Sequence, residues 1–258
     1  MEAQVAENGE RKTGNGAVPE LLVPLLTPTQ RLVSLPAVEL RDAATGAPPR
    51  LRTAVRVGVR EGILVVRFDG RDAGTVATLR RRDEALWTED VYEVFLTPLD
   101  PPLVYFEFEI NPLGALFDAR VESPDLVRAT MKVDVAWNLP GLTGKSRVRP
   151  GRWSAVLKIP LRSLAGDLLP GDGVREGVST GDADRKVPAA TEGRVLEKRA
   201  AGRGEGAPTR LPDLWRANFY RVDRGAKDEF SAWSPIAKDP PDFHEARTFG
   251  RIRLPEIS

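Results

Sequence analysis

The sequence contains no cysteine and only one histidine, His244. Without cysteine the chain forms no disulfide, uses no thiolate nucleophile and offers no Cys-ligated zinc or iron–sulfur site. A single histidine excludes a His-rich metal site and leaves one candidate for the base of a Ser-His-Asp triad. No G-x-S-x-G motif, phosphate-binding loop or dinucleotide-binding fingerprint occurs. These absences exclude several large classes of enzyme.

No surplus of one charge is present, since 38 Lys and Arg stand against 37 Asp and Glu, for a net charge of +1. No segment concentrates basic residues with interleaved aromatics, so the sequence predicts no nucleic acid partner and no membrane partner. Hydrophobic residues make up 41% of the chain and charged residues 29%, which is typical of a soluble globular protein. We expect a monomer.

The N-terminus lacks the apolar segment of a signal peptide, and no run approaches the length of a transmembrane helix. The sequence as written therefore predicts a cytoplasmic protein. If translation starts further upstream, an exported protein is the alternative.

Short runs of alternating apolar and polar residues recur along most of the chain. In Leu103–Ile110, Glu107 and Glu109 share one face while Phe106 and Phe108 share the other. Strands are predicted at 53–59, 63–68, 91–96, 103–110, 115–121, 153–159, 215–222 and 249–254. Helical periodicity is scarce, so the pattern predicts an all-β protein, an antiparallel β-sandwich of jelly-roll or immunoglobulin-like type with about nine strands and few short helices.

The chain is predicted to hold one domain, at 21–258, preceded by a disordered tail at 1–20. Residues 171–211 are rich in Gly, Ala, Arg, Asp and Glu and poor in aromatics. A long segment of this composition between two strands predicts a flexible insertion.

The last third of the chain combines aromatic rings with Arg and Asn at strand spacing, as in the segment WRANFYR at 215–221. Aromatic rings stack on the C–H faces of sugars, while Arg, Asn and carboxylates bond their hydroxyls. The segment therefore favours a polyhydroxylated ligand. The same residue types are common in the core of a β-sandwich, so both interpretations stay open.

Four segments, in this order, resemble carbohydrate-binding module family 9, and specifically its stand-alone bacterial relatives. They are LWTEDVYEVFL at 86–96, YFEFEINPLGA at 105–115, WRANFYR at 215–221, and a closing group of WSP at 233–235, DFH at 242–244 and FG at 249–250. Any one of these segments alone is weak evidence for the family, but the order of the four segments is fairly specific to it. The similarity runs from about residue 40 to 254, interrupted by the predicted insertion.

The resemblance implies a β-sandwich related to the DOMON-like group. It implies noncatalytic binding of a carbohydrate partner, typically the ends of glucan or xylan chains, between two tryptophans. It also implies structural calcium, while no other cofactor is expected. Family members are often appended to xylanases, whereas this chain carries no catalytic domain, so carbohydrate catabolism is only a context here.

The family's sugar-binding tryptophan and carboxylate match Trp87 and Glu93. Trp233 is the second candidate platform, because it lies in a Ser/Pro loop after a strand rather than within one. In the alternative interpretation, Trp87 is a rim residue that covers the core. His244 caps a turn, bonds a sugar or is structural.

Arg216, Asn218 and Tyr220 share one face of their predicted strand. Burying a charge without a partner is costly, so Arg216 needs either Glu93, Glu107 or Glu109, or a ligand. The predicted ligand-binding set is Trp87, Glu93, Glu109, Asn111, Arg216, Asn218 and Trp233. Glycoside hydrolysis is disfavoured, because Glu107 and Glu109 lie on one strand rather than on opposing walls.

Asp69, Asp72, Asp90 and Asp118 are oxygen donors near predicted strand ends, and Asp69, Asp72 and Asp118 are weak calcium candidates. Calcium takes six to eight oxygen ligands, and no contiguous calcium-binding motif is present. Calcium at these residues therefore depends mainly on the resemblance.

Two other functions remain open. One is a DOMON-like haem or redox module, for which Met131 and His244 are conceivable iron ligands. The other is a sandwich without a ligand that acts as a structural or protein-interaction domain.

Overall fold

Two β-sheets lie face to face across one main hydrophobic core in the computed structural model, which describes residues 10–11, 18–168 and 210–257. The described residues form fifteen strands. They are β1 (Glu10–Arg11), β2 (Glu20–Leu22), β3 (Val38–Glu39), β4 (Arg41–Asp42), β5 (Thr53–Arg60), β6 (Ile63–Arg71), β7 (Val91–Thr97), β8 (Val104–Ile110), β9 (Leu116–Glu122), β10 (Lys132–Asp134), β11 (Thr143–Arg149), β12 (Arg152–Pro160), β13 (Leu214–Asp223), β14 (Glu229–Ala232) and β15 (Gly250–Arg253).

The larger sheet has ten strands in the order β1-β2-β15-β13-β7-β8-β9-β10, and β14 pairs with both β13 and β4. The smaller sheet has five strands in the order β11-β12-β6-β5-β3. Pairing is antiparallel except between β15 and β2. The all-β sandwich predicted from the sequence is confirmed.

The inner face of the larger sheet is apolar because alternate residues of its strands point to the same side. Phe106, Phe108 and Phe219 are fully buried there and pack against side chains of the smaller sheet such as Phe68 and Trp153. Burying one such side chain contributes roughly 1.5–3 kcal/mol to stability.

The outer face of the larger sheet is also covered, by the loops that follow β9 and β14. A second cluster joins Phe95, Tyr105 and Tyr220 on the sheet to Phe243 and Phe249 from the chain after β14. Both faces of β7, β8 and β13 are therefore buried, and polar groups on the outer face lie in an enclosed setting.

All eight strands predicted from alternation form, with small shifts at their ends. Strand β11 was not predicted, because its sequence TGKSRVR is polar and both of its faces are largely exposed. Apart from 3₁₀ turns, the helical structure of the described residues is the single helix α1 (Leu161–Gly166). None of the described helices is long and apolar enough to cross a membrane.

The prediction of a disordered tail at 1–20 needs correction for those residues of the tail that the structure describes. Strand β1 pairs with β2, and β2 in turn lies beside β15, so Glu10–Arg11 and Glu20 belong to the larger sheet. The predicted insertion at 171–211 lies outside the described residues except for Arg210 and Leu211. Leu211 is buried in the main core, so the sandwich resumes by that residue.

Candidate functional site

Three glutamates meet on the outer face of the larger sheet. Glu93 on β7 stands opposite Glu109 on β8, and Glu107 lies two residues before Glu109 on the same side. One carboxylate oxygen from each glutamate lies within 4.8 Å of the others, and all three side chains are buried. Strand alternation thus concentrates three acids at one enclosed place.

Burial raises the pKa of all three carboxyl groups, because a charge is poorly solvated in the protein interior. The pKa of Glu107 rises to about 7. For Glu93 and Glu109, burial is the largest cause and repulsion from the neighbouring carboxylates adds to it. Near neutral pH the three groups therefore share protons and offer both donors and acceptors.

Glu109 is fully buried, and neither of its carboxylate oxygens makes a well-formed hydrogen bond with the described residues. The backbone N–H of Trp87 is near enough to lower its pKa slightly. An unsatisfied buried carboxyl group costs about 1–3 kcal/mol. Such a group is suited to a ligand that brings its own donors.

His244 approaches the same acids from the chain after β14. Its Nδ1 lies 2.8 Å from the Tyr105 hydroxyl, and its Nε2 lies 3.9 Å from Glu107 Oε2. Burial and, to a lesser degree, the positive charge of Arg128 lower the pKa of His244 to about 4. The imidazole is therefore neutral at pH 7, and a Tyr105 hydroxyl that donates to Nδ1 leaves the Nε2–H pointing at Glu107.

A cavity of about 420 Å³ opens above these groups. Its walls combine the acids and His244 with aromatic rings. The lining residues are Trp87, Glu93, Phe95, Glu107, Phe117, Arg128, Val133, Val135, Val222, Arg224, Phe230, Pro241, Asp242, Phe243 and His244. We call this the carboxylate cavity.

Trp87 lies at the rim of the carboxylate cavity in a 3₁₀ turn before β7 and is 42% exposed. Its ring meets Phe117 edge-on at 5.2 Å, and Arg224 donates to its backbone carbonyl at 3.1 Å. Arg224 also lies over the Phe230 ring at 5.0 Å. Trp87 is thus held in place while part of its ring stays open to solvent.

The structure corrects the expected partner of Trp87. Trp233 is 2% exposed, packs on Phe219 at 5.4 Å and belongs to the main core. A ring with so little exposure has no free face for a ligand, so Trp233 is not a platform. The other rings that line the carboxylate cavity are those of Phe95, Phe117, Phe230, Phe243 and His244.

Arg216 and Asn218 also lie away from the carboxylate cavity. Arg216 pairs with Asp100 at 3.5 Å rather than with a glutamate. The side-chain amide of Asn218 donates to the Ser234 carbonyl, and its oxygen accepts from the backbone N–H groups of Ser234 and Phe219. Both predicted ligand contacts are therefore replaced by structural ones.

Asn111 is likewise satisfied inside the protein. It donates to the Leu79 carbonyl and accepts from the backbone N–H groups of Leu113 and Ala115. These bonds fix the turn between β8 and β9. Of the predicted ligand set, Trp87 and Glu93 line the cavity and Glu109 belongs to its carboxylate cluster.

Several cavity residues were absent from the predicted set. Glu107 shares a strand face with Glu109, so alternation alone was enough to find it. Phe230, Phe243 and Arg224 come from segments around β14 whose position over the sheet depends on tertiary folding. The resemblance drew attention to the segment that contains Phe243, but no sequence signal identifies Arg224 or Phe230.

A second acidic cluster lies at the ends of β6, β7 and β13. Asp72, Asp90 and Asp223 are buried, with one oxygen of each within 4.8 Å of the others. Arg221 pairs with Asp223, while Asp90 accepts from the backbone N–H groups of Val76 and Arg224. One cation against three carboxylates leaves excess negative charge, which fits a divalent cation.

Two of the oxygen donors singled out in the sequence belong to this cluster, namely Asp72 and Asp90. Asp69 pairs instead with Arg56 and Arg67 on the smaller sheet. Asp118 pairs with Arg82 and accepts from the backbone N–H of Leu139. The weak calcium candidates Asp69 and Asp118 therefore lie outside the cluster, which Asp223 completes.

The fold resembles solved carbohydrate-binding proteins. A "putative carbohydrate-binding protein" from Bacteroides uniformis shares 17% identity with a TM-score of 0.60, covering 92% of this chain and 99% of that chain. A family-9 carbohydrate-binding module from Caldicellulosiruptor kristjanssonii, solved in complex with cellotriose, shares 9% identity with a TM-score of 0.52, covering 91% and 93%. No protein-family model and no curated protein matches the sequence. By its fold, the chain resembles the family-9 carbohydrate-binding modules along nearly its whole length.

Proposed function

We propose that the protein binds carbohydrate, without catalysis, in the carboxylate cavity. The observation that carries this proposal is the meeting of three buried glutamates with an exposed Trp87 and two further aromatic walls. Aromatic faces suit sugar C–H groups, and acids suit sugar hydroxyls. The cavity volume of about 420 Å³ lies in the range of small-ligand sites.

The protonation of the glutamates supports a polyhydroxylated ligand. Glu107, with a pKa of about 7, both donates and accepts hydrogen bonds near neutral pH, as sugar hydroxyls do. Glu109, whose raised pKa favours the protonated form, has no well-formed hydrogen bond with a described residue. A sugar whose hydroxyls both donate and accept relieves this penalty, which gives binding both energy and selectivity.

The geometry of the acids argues against hydrolysis. Glycosidases place two carboxyl groups on either side of the scissile bond, about 5–9.5 Å apart. Here the three glutamates stand beside one another on one sheet face, with one oxygen of each within 4.8 Å of the others, rather than on two sides of a cleft. We therefore propose a binding module rather than an enzyme.

The ligand class we propose is a glucan or xylan chain, with carbohydrate catabolism as the biological context. The fold likeness to a module solved with cellotriose supports the glucan. A haem function is not favoured. Met131 and His244 both contact the hydroxyl of Tyr105, whose phenol occupies the space between the two would-be iron ligands.

Calcium is part of the proposal. Asp72, Asp90 and Asp223 would hold the ion, which would fix the ends of β6, β7 and β13 by balancing their excess charge. The role is structural, since none of the three lines the carboxylate cavity.

Calorimetric titration with cello- and xylo-oligosaccharides tests the sugar site. Wild-type protein should bind at least one series, and Trp87→Ala should weaken binding by about 1–3 kcal/mol, the range for loss of an aromatic stacking contact. Trp137→Ala is the matched control, because Trp137 packs on Phe106 outside the cavity. Absence of binding to every sugar by folded protein refutes the proposal.

A further inference from the structure

A second concave surface lies on the outer face of the smaller sheet, away from the carboxylate cavity. Its volume is about 580 Å³. Arginines dominate its lining, with Glu39 and Asp69 as the acids. The arginines are Arg52, Arg56, Arg67, Arg71, Arg147, Arg149 and Arg152. We call this surface the arginine groove, and its charge is local because the net charge of the protein is only +1.

Four of these arginines form one row across neighbouring segments of the sheet. Arg149 stands opposite Arg152 between β11 and β12, and Arg152 stands opposite Arg71 between β12 and β6. The backbone N–H of Arg71 donates to the Arg52 carbonyl at 2.9 Å, which extends the row to the start of β5. Like charges placed opposite one another destabilise a sheet.

Little counter-charge within the groove is available to the row. Asp69 already accepts from both Arg56 and Arg67. Glu39, which stands opposite Ala54 of β5, is the one other acid in a lining that holds seven arginines. The side chains of the four row arginines make no hydrogen bond or ion pair with any described residue, and all four residues are exposed. An arrangement that lowers stability and leaves four guanidinium groups free is suited to a ligand that supplies the negative charge.

The chemistry of the groove favours carboxylates carried on a sugar chain. Arginine presents a planar fork that bonds carboxylates through two parallel N–H groups. Neighbouring strands lie about 4.8 Å apart, so the row repeats its charge at a spacing close to the length of one pyranose unit. A polyuronate, with one carboxylate on each sugar, matches both features.

Single-stranded nucleic acid fits the groove less well. Proteins that bind it combine positive charge with aromatic rings on which the bases stack. The one aromatic residue among the groove's lining is Trp153, which is 1% exposed and stacks on Tyr92 at 3.7 Å in the core. The groove offers charge without a stacking surface.

We propose that the arginine groove binds acidic polysaccharide of the polyuronate class, with Arg52, Arg71, Arg149 and Arg152 as the carboxylate-binding row. This site is separate from the carboxylate cavity and goes beyond the binding of neutral sugar proposed for that cavity.

Binding to polygalacturonate oligomers at low salt tests the proposal by calorimetry. Wild-type protein should bind them, with affinity that falls as salt rises, and should not bind the fully methyl-esterified oligomers, which have the same backbone without charge. The double variant R71Q/R152Q should bind at least tenfold more weakly. Its melting temperature should equal or exceed that of the wild type, because all three repulsive contacts between neighbours in the row are removed.

The control variant K132Q/K238Q removes two exposed positive charges outside the groove and should keep wild-type affinity. Three results overturn the proposal. One is no binding of polygalacturonate by folded wild-type protein at low salt. The second is equal loss of affinity in the control variant. The third is tighter binding of single-stranded DNA than of polygalacturonate, with the same sensitivity to R71Q/R152Q.

Discussion

Glu109 shows how a single residue links stability to the proposed function. Its carboxyl group is fully buried beside two other acids, without a well-formed hydrogen bond. An acid whose pKa is raised on folding stabilises the protein at low pH and loses that contribution as pH rises through the folded-state pKa. The carboxylate cluster therefore destabilises the ligand-free protein at neutral pH.

We predict that the melting temperature of the ligand-free protein falls between pH 6.5 and about 8, because the folded state still holds carboxyl protons that the unfolded chain has already released. Glu107 contributes to this fall up to its folded-state pKa of about 7, and Glu93 and Glu109, whose pKa values are raised well above normal, continue it at higher pH. His244 has the opposite effect, but its pKa falls from 6.5 to about 4, so its contribution changes only below this window. Glu109→Gln removes one of the carboxyl groups whose pKa is raised. This variant should have a higher melting temperature, which should fall less steeply as pH rises. Glu256→Gln, an exposed control, should follow the wild type, and a flat wild-type profile would contradict this account.

Asn218 illustrates a residue whose role differs from its predicted one. Its side chain is fully buried and makes two hydrogen bonds with the Ser234 backbone, which attach β13 to the chain after β14, and accepts a third from the backbone N–H of Phe219. Asn218→Ala should lower the free energy of unfolding by about 1–3 kcal/mol, since it leaves buried backbone groups of Ser234 and Phe219 without a hydrogen-bond partner. Sugar affinity measured by calorimetry should not change, because Asn218 does not line the carboxylate cavity. A loss of sugar affinity with unchanged stability would show that Asn218 acts in sugar binding rather than in folding.

At the scale of the elements, the Trp233 ring, which follows β14, packs closely on β15 only because Gly250 has no side chain. A Cβ atom at Gly250 would lie 2.4 Å from the Trp233 ring, which is itself buried in the core. Gly250→Ala should therefore lower the free energy of unfolding by about 1–3 kcal/mol in chemical denaturation. Gly166→Ala is the control, because nothing lies within 4 Å of its added Cβ. Equal stability of the two variants would show that Trp233 moves aside freely.

Alternation predicted most of the sandwich because each long strand has one strongly apolar face. It failed for β11, whose residues are exposed on both sides, and, apart from β15, for the two- to four-residue strands that pair only through tertiary folding. At the site, Trp87, Glu93 and Glu109 were identified from the sequence. Trp233, Arg216 and Asn218 were misplaced, because strand spacing does not reveal which loop covers a sheet face.

At the scale of the whole molecule, charge is unevenly distributed although the total is almost zero. Acids concentrate in the carboxylate cavity and in the cluster of Asp72, Asp90 and Asp223, while arginines concentrate on the opposite sheet. The two sheets thus present different ligand chemistry on their outer faces. One suits neutral sugars and the other suits acidic ones.

Calcium should raise the melting temperature of the whole protein, because an ion that binds only the folded state stabilises it by mass action. We expect the rise in metal-free wild-type protein on adding calcium, and its reversal by a chelator. Asp72→Asn should weaken the response, while Asp69→Asn, at a residue engaged by arginines, should keep it. The same melting temperature with calcium and with chelator would refute the calcium site.

A crystal structure of the protein soaked with cello- and xylo-oligosaccharides tests the central claim most directly. The account predicts a sugar ring against the exposed face of Trp87, with its hydroxyls within hydrogen-bond distance of the cluster formed by Glu93, Glu107 and Glu109. Sugar density elsewhere on the sandwich, with the carboxylate cavity holding only water at saturating ligand, would contradict it.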